Sequence, residues 1–448
     1  MNAPARLNHA RLVCLIGLLL WAWPSLATAQ DTASLRLSLE DAQSRALAAS
    51  HRLAEARARA TTAENAIAVR EAADRPIVAV VGGYTRTNHV TEFVVPSATG
   101  APRVLYPDVP DNYRTRLDAQ WPIYNGGRAD ALERAARAEA SAASADVAAA
   151  QADLRLEVAR AYWALVTARA ASTVLEQGLA RAQSQLKDAR ERLTAGLVPP
   201  NDVASAEAQE SRQRMLLIET RNQRDTSSAE LARLMGVDLL QSIEPMAELD
   251  TAATPLSEQQ VLVEEARAKR NERQALELRI TAADSLRDAA ERARYPMISL
   301  AGGVDVAKPN PRIFPRADRW EDSWDVGVTA SWALWDSGRV RADAAQAASV
   351  VVAARQRLAE FDSVVALEVR QRVLEIDSGR AAIAASADAV RAAAEARRVV
   401  VERYRAGVIT QTEVLDADVA LLQAELDRTR ALAGVRLAEA RLNRALGR

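Results

Sequence analysis

The chain has 448 residues, 49% of them hydrophobic but only 4% aromatic, and its 58 basic residues face 59 acidic ones. That balance argues against nucleic acid as a partner, and three histidines with one cysteine leave little material for metal or nucleophile chemistry. The length would fill two or three ordinary domains, yet large apolar residues are too few for globular cores.

In chain order, the first element is an address. Arg6 and Arg11 make a basic start, Leu12 to Trp23 an apolar run, and Ala27-Thr-Ala29 a small-residue site before Gln30. Twelve apolar residues are too short to span a bilayer, so residues 1–29 read as a cleaved export signal. Cys14 lies within it, which leaves the mature chain without thiol, disulfide or lipid-bearing cysteine.

From Leu39 to Asp74, Ala129 to Arg192, Asp202 to Leu234, Ser257 to Arg294, Arg341 to Arg403 and Glu413 to Leu446 the sequence is rich in Ala, Arg, Glu, Leu and Gln. Such residues in amphipathic periods predict long helices. Ala129 to Arg192 alone would extend roughly 95 Å at about 1.5 Å per residue, too long for a compact domain. The 55 arginines against three lysines are spread through all these stretches and suit pairing between helices.

The second half repeats the first. Trp121-Pro-Ile-Tyr-Asn-Gly-Gly-Arg128 returns as Trp332-Ala-Leu-Trp-Asp-Ser-Gly-Arg339, and Arg192-Leu-Thr-Ala-Gly196 returns as Arg403-Tyr-Arg-Ala-Gly407, both 211 residues later. This predicts two tandem helix-hairpin-helix units, residues 30–250 and 251–448. Twelve of the sixteen aromatic residues beyond the signal fall between Tyr84 and Tyr124 or between Tyr295 and Trp335. Each window opens with a proline, Pro76 or Pro296, and predicts a β-hairpin, about 76–123 and about 296–334.

The return strands alternate. Trp324, Val326, Val328, Ala330 and Trp332 point one way, and Asp325, Gly327, Thr329 and Ser331 the other; in the first copy Tyr113, Leu117, Ala119, Trp121 and Ile123 alternate with Arg114, Arg116, Asp118 and Gln120. Some ten residues, apolar on one face and polar on the other with aromatics near the ends, suit a transmembrane strand. A soluble hairpin covering a core shows the same pattern, but these helices offer no core to cover. Four strands cannot close a barrel, and open edges are not tolerated in lipid, so oligomerisation is expected; three copies would give twelve strands.

The signal, the duplicated unit, the W-P-I-Y-N-G-G-R and W-A-L-W-D-S-G-R motifs and the turn Tyr404-Arg-Ala-Gly-Val-Ile-Thr-Gln-Thr-Glu-Val-Leu-Asp-Ala417 together resemble the TolC-like outer-membrane efflux family over essentially the whole mature chain. The resemblance implies a mainly α chain with membrane β-hairpins. It implies a homotrimer forming a twelve-stranded β-barrel continued by a twelve-helix periplasmic α-barrel. It also implies an exit duct of a tripartite efflux or type I secretion system, set in outer-membrane lipid and docking to a periplasmic adaptor and an inner-membrane pump. Trp121, Trp324, Val326, Val328 and Trp332 would face lipid.

The turns 195–201 and 406–412 would be the periplasmic tips, with Gly196, Leu197, Val198, Gly407, Val408 and Ile409 meeting the adaptor. Glycine after one helix and an acid opening the next is also ordinary capping chemistry. Glu413 and Asp416, three apart on one helix face, resemble the family's entrance carboxylates, with Asp202 and Ser205 in the same places of the first copy. Tyr404 matches the tip tyrosine, whose implied partner is Asp202, while Ile409 stands where members place an arginine.

No phosphate loop, nucleophile motif or metal cluster is present in the sequence, so no catalytic, cofactor or metal site is expected. His51 reads as a surface residue in the first helix and His89 as too solitary for a metal. The competing functions are an exported coiled-coil structural protein and an adaptor of the envelope; neither accounts for a hairpin placed inside each repeat.

Overall fold

The computed structural model describes residues 34–98, 100–250 and 257–448; the signal-peptide reading of residues 1–29 lies outside them. The elements in order are β1 (Leu35–Leu37), α1 (Leu39–Ala49), α2 (His51–Ala72), β2 (Ile77–Arg86), β3 (Phe93–Val95), β4 (Arg103–Tyr106), β5 (Asp111–Tyr124), α3 (Arg128–Thr194), α4 (Pro200–Met235), β6 (Ile243–Pro245), α5 (Gln259–Lys269), α6 (Asn271–Arg292), β7 (Met297–Lys308), β8 (Glu321–Ser331), α7 (Arg339–Arg405) and α8 (Gln411–Ala445). At 67 residues each, α3 and α7 extend roughly 100 Å at about 1.5 Å per residue.

Local chemistry starts and stops these helices. Asn125 Oδ1 accepts the N–H of Ala129 at the start of α3, and Asp336 accepts those of Gly338 and Val340 at the start of α7. Gly127 and Gly338 take positive φ just before the helices. At the other end Leu197 N–H returns to the Arg192 carbonyl and Val408 N–H to that of Arg403, each across a left-handed glycine.

The helices expected to run unbroken from Leu39 to Asp74 and from Ser257 to Arg294 are each interrupted once, at Ser50 and Arg270, which are extended. Ser50 Oγ accepts the N–H of Leu53 and caps α2. Arg270 is buried, with Glu368 at 2.6 Å and Glu272 at 3.4 Å, so its side-chain partners hold the break. His51 therefore begins α2 and does not lie within a first helix. These breaks also date the start of each copy: α5 and α6 begin 220 residues after α1 and α2, whereas α7 begins 211 after α3. The shortening falls in the hairpins, whose outer connection is 87–110 in the first copy and 309–320 in the second.

Four strands form one antiparallel sheet in the order β2-β5-β7-β8. β8 ends at Ser331, opposite Met297, one residue short of the expected Trp332. The next residue on the partner side is Pro296, which has no N–H to continue the ladder. Below the sheet, α3 packs against α2, α4, α6 and α8, and α7 against α6 and α8, so the upper level runs α2-α3-α6-α7 and the lower α4-α3-α8-α7. The main core lies halfway down, where β1 and β6 pair and α1 closes on α3. There the fully buried Tyr162 donates to the Leu37 carbonyl and accepts from Ala247 N–H. Arg444 of α8 ties α3 to α6 through Asp153 at 2.7 Å and through Glu272.

Candidate functional site: the sheet wall and the helix tips

The register sorts the sheet into two faces. Val80, Leu117, Val304 and Trp324 lie in one row across the four strands, Val78, Ala119, Gly302 and Val326 in the next, and Trp121, Leu300 and Val328 in a third. Trp324, Val326 and Val328 are 74%, 69% and 65% exposed, so this face is an uncovered apolar surface. Rows on the opposite face hold Arg116 beside Asp305 and Asp118 beside Gly303 and Asp325. There Arg114 grips the buried Asp305 through Nε at 2.7 Å, and Arg116 reaches Asp118 at 2.6 Å, Asp305 at 3.0 Å and Asp325 at 2.9 Å. A charge-paired face opposite an apolar one is the sidedness of a barrel wall.

At the base of the sheet the two motif tryptophans do the same thing. Trp121 Nε1 donates to the Asp74 carbonyl and Trp332 Nε1 to that of Arg294, each at 3.0 Å, which ties the strand end to the residues just after α2 and α6. Tyr124, Tyr295 and Trp335 are exposed close by in sequence, giving the level an aromatic collar. Gly126 allows the close approach: a Cβ there would meet that of Tyr295 at 2.5 Å. Asp336, held by the N–H groups of Val340 and Gly338, has a carboxyl below the usual carboxylate range.

At the far end, Leu197 and Val408 are 73% and 65% exposed, Gly196 and Gly407 are exposed beside them, and Val198 and Ile409 are half-buried. Glu413 and Asp416 are exposed on the first turns of α8, while Asp202 is half-buried on the first turn of α4. The implied bond from Tyr404 to Asp202 is absent. Tyr404 is buried, donates instead to Gln411 Oε1 at 3.3 Å, and carries the Arg192 guanidinium 4.4 Å above its ring. Burial pushes the phenol's pKa up, Arg192 opposes, and Asp202 acts on it through charge alone. Gln411 wins because it is itself buried at the start of α8, where its amide oxygen needs a donor.

Asp305 stands on β7, outside the two return strands whose alternation marks the faces, and its own signal is the short alternation Val304-Asp-Val306. Arg397 with the buried Asp418, which joins α7 to α8 above the tips, had no local signal, since its members lie 21 residues apart.

A two-faced antiparallel sheet standing on a helical shaft of this length has the sidedness of a membrane β-wall continued by helices. The chain belongs to the outer membrane efflux protein family, whose model matches residues 42–237 and 262–448. The fold is that of the outer-membrane channel OprN, with a TM-score of 0.76 at 21% identity over 91% of this chain and 89% of that one. The outer membrane protein VceC of Vibrio cholerae gives 0.75 at 22% over 91% and 96%. CusC gives 0.77 at 18% over 91% and 92%. Protein CyaE of Bordetella pertussis is 26% identical over 207 residues, which are 44% of this chain and 42% of that protein. Family and fold are those of channel proteins, not of enzymes.

Proposed function

We propose that three copies close into a continuous duct, a twelve-stranded barrel in outer-membrane lipid above a twelve-helix shaft in the periplasm. One observation carries this reading: the open edges coincide at every level. β2, α2 and α4 form one flank and β8 and α7 the other. β2 and β8 run in opposite directions, so β8 of one protomer can pair antiparallel with β2 of the next, and three protomers leave no edge in lipid. On this reading the Trp324 face meets lipid, the Arg116 face lines the pore, and the repeats 30–250 and 251–448 each supply one hairpin to the wall and one tip to the inner mouth.

Glu413 and Asp416 then belong to the inner mouth. Neither has an ion pair or side-chain hydrogen bond among the described residues, whereas Asp418 two residues on is buried and paired with Arg397. Exposed acids at a helix start are favourable to the helix dipole, and trimerisation gathers six of them. The exposed turns at Leu197 and Val408 offer themselves to a periplasmic adaptor coupled to an inner-membrane pump. Native mass measurement in mild detergent tests the assembly, and a stable monomer that still conducts ions would end the reading. Cysteines at Leu197 or Val408 test the docking: crosslinks to the adaptor are expected from these positions and not from mid-helix ones.

A further inference from the structure

The connection between β7 and β8 does not rise away from the sheet; it folds back over the charged face. Asn310 is completely buried, and its Nδ2 donates to the Glu321 carbonyl and to Ser323 Oγ. Arg312 Nη1 lies 2.5 Å from Asp325 Oδ1. Ser323 and Asp325 belong to the same face as Asp305 and Arg116, since Ser323 pairs with Asp305 and Asp325 with Gly303. Asp325 is four residues inside β8, about 13 Å from its outer end at roughly 3.3 Å per residue, so the loop reaches well below the rim. Farther along, Arg316 stacks on Tyr106 of β4 and donates to its hydroxyl at 2.6 Å, tying this loop to the other hairpin's connection.

Beneath this loop lies a cavity of about 560 Å³ between Pro309 and Pro311 on the loop and Gly83, Arg114 and Arg116 on the wall. The loop's fastenings are mainly polar: the Asn310 amide, the Arg312–Asp325 pair, the Lys308–Asp318 pair at 3.3 Å and the Arg316–Tyr106 contact, with the Trp320 ring 6.0 Å from that of Tyr113 at its far end. Asp325 is shared, since Arg116 reaches it as well, so the wall's own charge network holds the strap.

We propose that residues 309–320 form an inward strap that narrows the outer mouth of the pore. Arg312 is its clasp on Asp325, and Arg316 is its brace on Tyr106. The strap, and not the barrel wall, then sets the largest solute that passes the outer mouth. This rests on closure of the barrel by three copies, which turns the charged face into the pore lining and brings three straps around one axis.

The test uses Thr329→Cys as a reporter, a pore-face position deeper than the clasp, in a mature chain without other cysteines. Intact cells are treated from outside with a small methanethiosulfonate and with a maleimide carrying a polyethylene glycol chain of about 5 kDa. The large reagent cannot cross the outer membrane by another route, so its rate reports the outer mouth. It is expected to label the parent slowly. Asp325→Asn, which removes the charge without removing bulk, and Arg312→Ala combined with Arg316→Ala should each speed it about tenfold while the small reagent's rate stays unchanged. Arg312→Lys, which keeps the pair, should remain slow. Equal rates for the large reagent in parent and variants, or a parent labelled as fast by the large reagent as by the small, would overturn the strap. A parent thiol that neither reagent reaches, although the denatured protein reacts, would overturn the closed barrel itself.

Discussion

α3 and α7 have the same length, begin after the same motif and end on the same turn 211 residues apart, yet they have opposite surroundings. Twenty residues of α3 are buried, from Ala131 to Ala189, while α7 buries only Val351, Val365, Val369, Ile376 and Tyr404. On α7 an apolar stripe of Val364, Leu367 and Leu374 is about half exposed. The difference is positional. α3 is flanked on both sides within its own chain, and α7 stands at the edge where β8 also stands. Duplication made two equivalent helices, and a chain of two units can enclose only one of them.

The sharpest way to break this comparison is to put a charge on each helix. Val158→Asp buries an uncompensated carboxylate in the core of α3 and should cost about 3–5 kcal/mol, seen as loss of the folded protomer by circular dichroism. Leu367→Glu with Leu374→Glu should leave helicity intact, with the protomer changed by about 0.5 kcal/mol or less, yet abolish the trimer in native mass measurement. A normal trimer from the α7 variant would show that its stripe is not the seam.

The sheet offers the next largest contrast. Val328→Arg on the apolar face should cost about 2–4 kcal/mol and impair membrane assembly, whereas Thr329→Arg should assemble and alter conductance. The reverse ranking in a heat-modifiability gel would mean a register one residue out.

A smaller effect is expected at the joint where Arg444 meets Glu272. Burial opposes ionisation of Glu272, but the Arg444 hydrogen bond and charge outweigh it and hold the carboxyl's pKa below its ordinary value. A lowered folded pKa means the stabilisation is complete above the unfolded carboxylate value of about 4.5 and fades as pH falls through the folded one. Glu272→Gln should therefore cost about 1–2 kcal/mol near neutrality. Melting curves of parent and variant should converge in acid; a gap independent of pH would assign the loss to packing.

The mildest change is expected at the tips, where Glu413→Ala with Asp416→Ala should leave stability unaltered. It should reduce cation preference several-fold and relieve block by a trivalent cation added on the periplasmic side of a planar bilayer. Unchanged selectivity and block would make these acids simple helix starts.

Sequence reading reached most of this fold because its signals are short-ranged and repeated. The helices follow from composition, the tip turns from a glycine at each end, and the faces of β5 and β8 from period-two alternation. The break at Arg270 has no local signal, since its partner Glu368 lies 98 residues away, whereas the one at Ser50 rests on a local cap to Leu53 that composition alone does not single out. Resemblance assigned Tyr404 to Asp202, and the neighbouring Gln411 took the bond. By itself, then, the sequence determined two copies of one unit, their helices, and which side of each strand is apolar, since these depend on residues within a few positions of one another. Only the tertiary structure decided that α3 is enclosed and α7 is not, that Asp305 and Asp325 knit the charged face of the sheet, and that Asn310 and Arg312 fold back onto that face. Those outcomes depend on which elements meet, and burial and charge pairing between distant segments leave no local period to read.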